Sequence, residues 1–116
     1  HAKVSNVIFP GVMDGEARAR ADKYLSGGYG SLIGFEVASG GEGGKKFIEA
    51  LQMFYHVANI GDARSLAIHP ATTTHSQLSA EEQIASGVTE GYIRLSIGIE
   101  HIDDILADLS QALDVA

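Results

Sequence analysis

The sequence predicts an α+β two-layer sandwich, in which helices pack on one face of a small, mainly antiparallel or mixed sheet. Segments whose apolar residues alternate with period two are interleaved with segments whose apolar residues recur at helical spacing. The predicted order is β-α-β-α-β-(short α)-β-α, with no internal repeat or linker. Apolar residues make up 45% of the 116 residues, which suffices for the core of one domain. The connections do not determine the strand order.

A strand and a helix are predicted in the first part of the chain. The strand covers residues 5–9, and Pro10 ends it in a turn. Asp14 is placed to cap the helix that follows, and the glycine pair at 27–28 stops it. The apolar residues at helical spacing in this helix are Ala17, Ala21, Tyr24 and Leu25.

The second predicted strand covers residues 32–38 and has three apolar residues on one face. We expect residues 39–44 to form a glycine-rich loop that leads into the second helix. The apolar stripe of that helix is predicted to consist of Phe47, Ile48, Leu51, Phe54 and Tyr55.

The third strand is predicted over residues 65–69, where Pro70 breaks it ahead of a polar threonine run. Ser79 and Glu82 have the spacing of a capping box and predict a short helix. The final helix is predicted to place Ile102, Ile105, Leu106, Leu109 and Leu113 on one side. Acidic residues lie in or near its first turn, where the helix dipole favours negative charge: Glu100, Asp103 and Asp104.

The fourth strand is predicted over residues 92–97, and its two faces differ in chemistry. Alternation places three aliphatic residues on one face, which suits a core. The other face carries Tyr92, Arg94 and Ser96, and would meet a partner domain, a ligand or water. A partly buried Arg94 needs an anion, and its planar guanidinium suits a carboxylate. The pattern also fits a solvent-exposed edge strand, or an arginine paired with a structural Asp or Glu.

Composition excludes several classes of function. A net charge of -7 disfavours nucleic acid or an anionic membrane as the main partner. The absence of cysteine excludes disulfides, thiolate metal sites and thiol nucleophiles, and it fits a reducing compartment, so we expect a cytoplasmic protein. No apolar run is long enough to span a membrane. Because the chain opens His1-Ala2-Lys3 without an initiator methionine, we expect a trimmed or excised piece.

Two glycine-rich segments resemble nucleotide-binding motifs but fail them. The segment 40–45 has Ser39 and Lys46 where a phosphate loop requires Gly and then Ser or Thr. The segment 28–30 begins a dinucleotide fingerprint, but Ile33 stands where the third glycine belongs. Neither segment therefore predicts a phosphate site.

The polar residues around the threonine run allow more than one interpretation. His69 and His75 are weak evidence for zinc, because a hydrogen-bonding loop explains them as well. The threonines at 72–74 can satisfy their own turn or line a polar ligand pocket. A Ser-His-Asp hydrolase lacks its nucleophile-elbow sequence here.

Taken together, four segments resemble one known family. They are the runs Asn59-Ile60-Gly61-Asp62-Ala63-Arg64-Ser65-Leu66, His69-Pro70-Ala71-Thr72-Thr73-Thr74-His75-Ser76, Arg94-Leu95-Ser96-Ile97-Gly98-Ile99-Glu100 and Asp103-Asp104-Ile105-Leu106-Ala107-Asp108-Leu109. They resemble the C-terminal end of the Cys/Met-metabolism family of pyridoxal-phosphate enzymes. The resemblance covers nearly the whole chain and implies the C-terminal domain of a fold-type I pyridoxal-phosphate enzyme.

The resemblance also implies an activity and a set of substrate-binding residues. The segment 61–64 and the threonine run look most like members that replace the acetate of O-acetylhomoserine by sulfide, giving homocysteine. By resemblance, Arg94 matches the arginine that binds the substrate α-carboxylate, Asn59 helps to hold it, and Thr74 lines the site nearby. Many cystathionine-type and lyase relatives carry Ser at the position of Asn59, which favours the sulfhydrylase interpretation.

The resemblance further implies that most of the enzyme lies outside this chain. Residues 1–116 would form the small C-terminal domain, and the N-terminal domain that binds pyridoxal 5'-phosphate would be its missing partner. No lysine here matches the cofactor lysine's motif, so we assign no catalytic or cofactor-binding residue and expect the fragment alone to be inactive. The full enzyme would bind a small amino-acid substrate and form a homotetramer. The alternatives are a cystathionine γ-synthase, a γ-lyase, or a stand-alone carboxylate-binding module.

Overall fold

The computed structural model describes all residues, 1–116, as one five-stranded sheet with four helices. The strands are β1 (Val4–Ile8), β2 (Leu32–Val37), β3 (Tyr55–His56), β4 (Leu66–Ile68) and β5 (Tyr92–Ser96). The helices are α1 (Gly15–Tyr24), α2 (Gly40–Ala50), α3 (Ala80–Ala85) and α4 (Ile102–Asp114). Two short 3-10 turns, Pro10–Val12 and Pro70–Thr72, follow β1 and β4. None of the four helices combines the length and the hydropathy that a membrane-spanning helix requires.

The sheet is mixed and mainly antiparallel, as the sequence predicts. Its order is β1-β2-β5-β4-β3, and only the β3–β4 pair is parallel. The two-residue strand β3 was not predicted. Because β5 lies between β2 and β4, the strand that carries Arg94 is central, and the edge-strand alternative is wrong.

The core lies between one face of the sheet and the helices α2 and α4. Phe35 of β2 and Phe47 of α2 stack edge to face with ring centroids 5.4 Å apart. Ile93 and Leu95 of β5 are buried in the same cluster, as is Ile105 of α4. Burial of each such side chain contributes about 1.5–3 kcal/mol, so this face anchors the domain. The other face of β5 remains available for a site.

The glycine-rich segment 40–44 forms the first turns of α2, so the predicted loop is wrong. A Cβ on Gly44 would lie 2.6 Å from His69 Nε2, and a Cβ on Gly43 would clash with Ser39 Oγ. Glycine at position 44 is therefore needed for the close approach of α2 to His69, the residue after β4, and not for a flexible loop. The sequence pattern does not separate these two uses of glycine.

The second helix ends at Ala50, so Phe54 and Tyr55 do not belong to its apolar stripe. Phe54 is buried in the core, and Tyr55 begins β3. The carboxylate of Asp108, on α4, accepts hydrogen bonds from the backbone N–H groups of residues 52, 53 and 54 at 2.9–3.2 Å. This long-range contact satisfies the donors of a tight turn, and no local pattern predicts it.

The helix α1 forms where the sequence predicts it but packs differently. It contacts the Pro10–Val12 turn and has no buried residue, so its predicted apolar positions do not contact the core. Asp14 occupies the N-cap position without a side-chain hydrogen bond. In α4, Ile102 and Leu106 are exposed, while Asp108 and Ala112 take buried positions.

Candidate functional site

The polar face of β5 is the face that the helices do not cover. Tyr92 and Arg94 are half-buried there, and Ser96 is only 1% exposed. Arg94 lies opposite Gly34 of β2 and Ile68 of β4, and neither neighbour offers a side-chain acceptor. The predicted difference between the two faces of this strand is confirmed.

Arg94 has no acidic partner. Its Nη2 donates to the backbone carbonyl oxygen of Asn59 at 3.0 Å, and its buried Nε has no hydrogen-bond partner. None of the five ion pairs in the structure includes Arg94, so the alternative of an arginine paired with a structural acid is wrong. An unpaired cation with a free donor is the kind of group that recognises an anion.

Asn59 belongs to an exposed segment, residues 57–64, which we call the Asn59 loop. Its backbone carbonyl contacts Arg94, while its side-chain amide makes no hydrogen bond and remains free. The structure therefore brings together two of the three residues that the resemblance implies.

Two contacts order the second half of the Asn59 loop. The carboxylate of Asp62 accepts the backbone N–H of Arg64 at 3.0 Å. The Arg64 guanidinium lies 5.0 Å from the centre of the Tyr55 ring. The first contact forms a turn within the loop, and the second holds the loop close to the β3 edge of the sheet.

Thr74 lies in a second loop, residues 70–76, which we call the threonine loop. Its Oγ1 pairs with the Nδ1 of His75 at 2.8 Å, and it makes no hydrogen bond to Arg94 or Asn59. Thr73 Oγ1 donates to the His69 carbonyl, and Ser76 Oγ donates to the Thr73 carbonyl. The threonine loop thus satisfies its own turn, which is the first of its two sequence interpretations.

His69 is a buried residue that anchors the threonine loop. It is 1% exposed, and its Nε2 lies 2.6 Å from the Glu90 carbonyl oxygen while Nδ1 lies 2.9 Å from Thr72 Oγ1. Because a carbonyl only accepts, Nε2 carries a proton. His69 therefore has a structural role, which the sequence allowed as a hydrogen-bonding loop.

The sequence does not predict a cluster at the base of the Asn59 loop, in which the half-buried Glu100 meets the buried Ser65. Glu100 accepts hydrogen bonds from the backbone N–H and the hydroxyl of Ser65 at 2.7 and 2.8 Å. Burial alone would raise the pKa of Glu100, but the hydrogen bonds from Ser65 outweigh it, and the pKa is lowered. Its position ahead of α4 indicated a helix-dipole partner, and only the fold reveals Ser65 as its contact.

Tyr92 shapes the site on the side of Gly34. A Cβ on Gly34 would lie 2.5 Å from the Tyr92 hydroxyl oxygen, so the ring covers the glycine. Burial raises the pKa of the Tyr92 phenol, and the nearby Arg94 charge partly offsets this effect. Tyr92 is therefore a neutral hydroxyl beside the cation at neutral pH.

The most prominent apolar cavity of the chain is not at Arg94. It measures about 410 Å³ and lies on the opposite face of the sheet, where eight of its ten lining residues are hydrophobic. Phe35, Leu95 and Leu109 are among them. Arg94 does not line this cavity, so the structure provides no enclosed pocket of this kind beside its guanidinium.

The sequence that forms this α+β domain matches one class of enzyme. The family model for the Cys/Met metabolism PLP-dependent enzymes matches residues 1–114. The chain belongs to that family, and the sequence resemblance is confirmed.

One sequence relative and two solved structures show which members of the family this chain is similar to. The chain is 54% identical to the O-acetyl-L-homoserine sulfhydrylase of Leptospira meyeri, over 97% of this chain and 26% of that protein. It superposes with a TM-score of 0.89 on a Campylobacter jejuni protein named O-acetylhomoserine (thiol)-lyase, which was solved with N'-pyridoxyl-lysine-5'-monophosphate. The two sequences are 40% identical, and the match covers 98% of this chain and 27% of the Campylobacter chain. A cystathionine gamma synthase from Xanthomonas oryzae, solved with cystathionine, matches with a TM-score of 0.84 and 36% identity, over 98% and 29% of the two chains. The chain spans about a quarter of the length of the curated relatives it matches.

The lysines of this chain do not fit the pyridoxal phosphate on which the family depends. All four are exposed: Lys3, Lys23, Lys45 and Lys46. Lys3 donates to the Ala116 carbonyl, and Lys45 donates to Glu42. A lysine that binds the cofactor covalently needs a buried or enclosed setting to tune its pKa, which none of these has.

Proposed function

We propose that this chain is the small C-terminal domain of a pyridoxal-phosphate-dependent O-acetylhomoserine sulfhydrylase. The whole enzyme would convert O-acetylhomoserine and sulfide to homocysteine and acetate. The identity to the Leptospira sulfhydrylase supports the choice within the family. For the whole enzyme we also propose a cytoplasmic homotetramer, in which an N-terminal domain carries the cofactor.

Within that enzyme, we propose that Arg94 binds the α-carboxylate of the amino-acid substrate. The observation that carries this proposal is a half-buried guanidinium with a free donor and no acidic partner. A guanidinium pairs with a carboxylate through parallel hydrogen bonds, so it binds the group and also orients it.

Orientation is the chemical contribution of this domain. Pyridoxal phosphate, when bound, supplies the electron sink for bonds at the substrate Cα. Holding the carboxylate at Arg94 fixes the rotation of the Cα substituents relative to the reacting groups, and positioning of this kind contributes much of catalysis. Asn59 and Thr74 remain proposed as further substrate contacts, the first through its free side-chain amide and the second through its hydroxyl.

A second candidate is a cystathionine γ-synthase of the same family. The 36% identity to the Xanthomonas enzyme favours it, whereas Asn59 in place of Ser favours the sulfhydrylase. Product analysis with sulfide and with cysteine as the competing nucleophile distinguishes the two. A dominant yield of homocysteine supports the sulfhydrylase, and a dominant yield of cystathionine supports the synthase.

The Arg94→Ala substitution in the full-length enzyme tests the proposed role. We expect KM for O-acetylhomoserine to rise, and kcat/KM to fall about 10- to 150-fold, because a hydrogen bond to a charged group contributes about 1.5–3 kcal/mol. The cofactor should stay bound, as its absorbance reports. Arg20→Ala is the matched control, because Arg20 is an exposed residue of α1 paired with Glu16. Unchanged kinetics in Arg94→Ala would exclude the assignment.

A further inference from the structure

We propose that Ser96 and Glu100 are positioning residues for the carboxylate site and act on Arg94 through the Asn59 loop. This inference rests on the proposed role of Arg94. Neither residue is proposed to touch substrate. Their function would be to hold the Asn59 carbonyl where it fixes the guanidinium.

The first step is the contact between Ser96 and the loop. Ser96 lies two residues after Arg94 on the same face of β5, and it is 1% exposed. Its Oγ accepts the backbone N–H of Gly61 at 3.1 Å. The loop is thus held to one strand face at two points, through Asn59 at Arg94 and through Gly61 at Ser96.

The second step is the anchor at the end of the loop. Glu100 binds Ser65 through both carboxylate oxygens, and Ser65 Oγ accepts the backbone N–H of Gly98 at 2.9 Å. The N–H of Ile99 donates to the Ala63 carbonyl at 2.9 Å. These bonds tie the Asn59 loop to the segment that follows β5. The loop and the strand that carries Arg94 are therefore held together as one unit.

Steric fit at Gly98 supports a closely built anchor. A Cβ there would clash with the Ala63 carbonyl oxygen and would lie 2.6 Å from both Glu100 Oε2 and the Ser65 nitrogen. Three separate contacts below 3 Å mean that the backbone approaches as closely as a glycine allows.

The consequence for Arg94 is orientational. The Asn59 carbonyl accepts one N–H of Nη2, and because the guanidinium is planar, this bond fixes the plane in which its other donors lie. A loop released from Ser96 or Glu100 would let the guanidinium rotate and would weaken the pre-set geometry toward a carboxylate.

The test is a double-mutant cycle in the full-length enzyme. Ser96→Ala is expected to raise KM for O-acetylhomoserine about 2- to 12-fold, as loss of one neutral hydrogen bond would, with KM for sulfide and cofactor absorbance unchanged. In the Arg94→Ala background the same change should have no further effect, because the two residues act through one contact. Ser96→Thr, which keeps the hydroxyl, should restore most of the affinity. Ser31→Ala is the matched control, since Ser31 is exposed and its side chain makes no hydrogen bond.

Each outcome decides the inference. If the Ser96→Ala and Arg94→Ala effects multiply, or if KM for sulfide rises equally, Ser96 has only a structural role and the inference is overturned. If Ser96→Ala does not fold, Glu100→Gln provides the second cycle with the same expectation of non-additivity. If Arg94→Ala alone has no effect, the proposed function fails, which is a distinct result from a failure of positioning.

Discussion

At the scale of the residue, Arg94 is defined by what surrounds it. Its cross-strand neighbours Gly34 and Ile68 provide no acceptor, and its one hydrogen bond goes to a backbone carbonyl. An arginine in such a setting would be costly to keep half-buried unless it had a ligand, because charged groups need hydrogen-bonding partners away from water. The sequence indicates this through the alternation of β5 alone.

Asp108 is the residue on which the turn after α2 depends. It is 6% exposed and accepts three backbone hydrogen bonds, so Asp108→Ala would leave three donors without an acceptor. We expect the free energy of unfolding, measured by urea denaturation, to fall by about 3–5 kcal/mol. A buried donor without an acceptor costs about 1–3 kcal/mol, and water that enters the turn would offset part of the sum for the three donors. A loss below 1 kcal/mol would contradict this account of the turn. Asp103→Ala, at an exposed position of the same helix, is the control.

The same residue predicts a pH dependence of stability. Burial would raise the pKa of Asp108, but the backbone hydrogen bonds outweigh it and lower the pKa below its ordinary value. A carboxyl group with a lowered folded-state pKa stabilises the fold fully above its unfolded-state pKa. That contribution is lost as the pH falls through the folded-state pKa. The free energies of unfolding of the wild type and of Asp108→Asn should therefore converge as the pH falls into the acid range. A difference between the two proteins that does not change with pH would contradict this role of Asp108.

At the scale of the element, α2 shows how a helix is used for close packing. Gly44→Ala would place a Cβ 2.6 Å from His69 Nε2, whereas Gly41→Ala meets only an ordinary contact of 3.5 Å with Glu90. Alanine normally stabilises a helix over glycine by about 1 kcal/mol. We expect Gly41→Ala to stabilise by up to that amount and Gly44→Ala to destabilise by about 1–3 kcal/mol in thermal unfolding. Equal effects of the two changes would contradict close packing of α2 on His69.

Elements with strong local signals are predictable from the sequence, and elements set by distant contacts are not. The capping box of Ser79 and Glu82 forms as its spacing indicates. The end of α2 depends on Asp108, which is 54 residues or more away along the chain. The Asn59 loop depends likewise on Ser96 and Glu100, so its contact with Arg94 could be implied by family resemblance but not read from local pattern.

At the scale of the whole molecule, the two faces of the sheet differ in what covers them. The sheet and two helices bury Phe47 and Ile93 fully, while Arg94 on the opposite face of the sheet is half-buried and has no acidic partner. The chain spans 26% of the Leptospira sulfhydrylase, and its lysines are all exposed. We infer that this domain supplies the recognition of one substrate group and that the remaining groups act from elsewhere in the enzyme.

The central claim is that Arg94 and the substrate α-carboxylate are direct partners. The most direct measurement compares kcat/KM for O-acetylhomoserine and for its carboxamide, in the full-length wild type and in Arg94→Ala. If the two groups are partners, the carboxamide should lose about 10- to 150-fold in the wild type and almost nothing in Arg94→Ala, because the interaction is already absent there. An equal loss in both enzymes would show that Arg94 does not contact the carboxylate and would contradict the account.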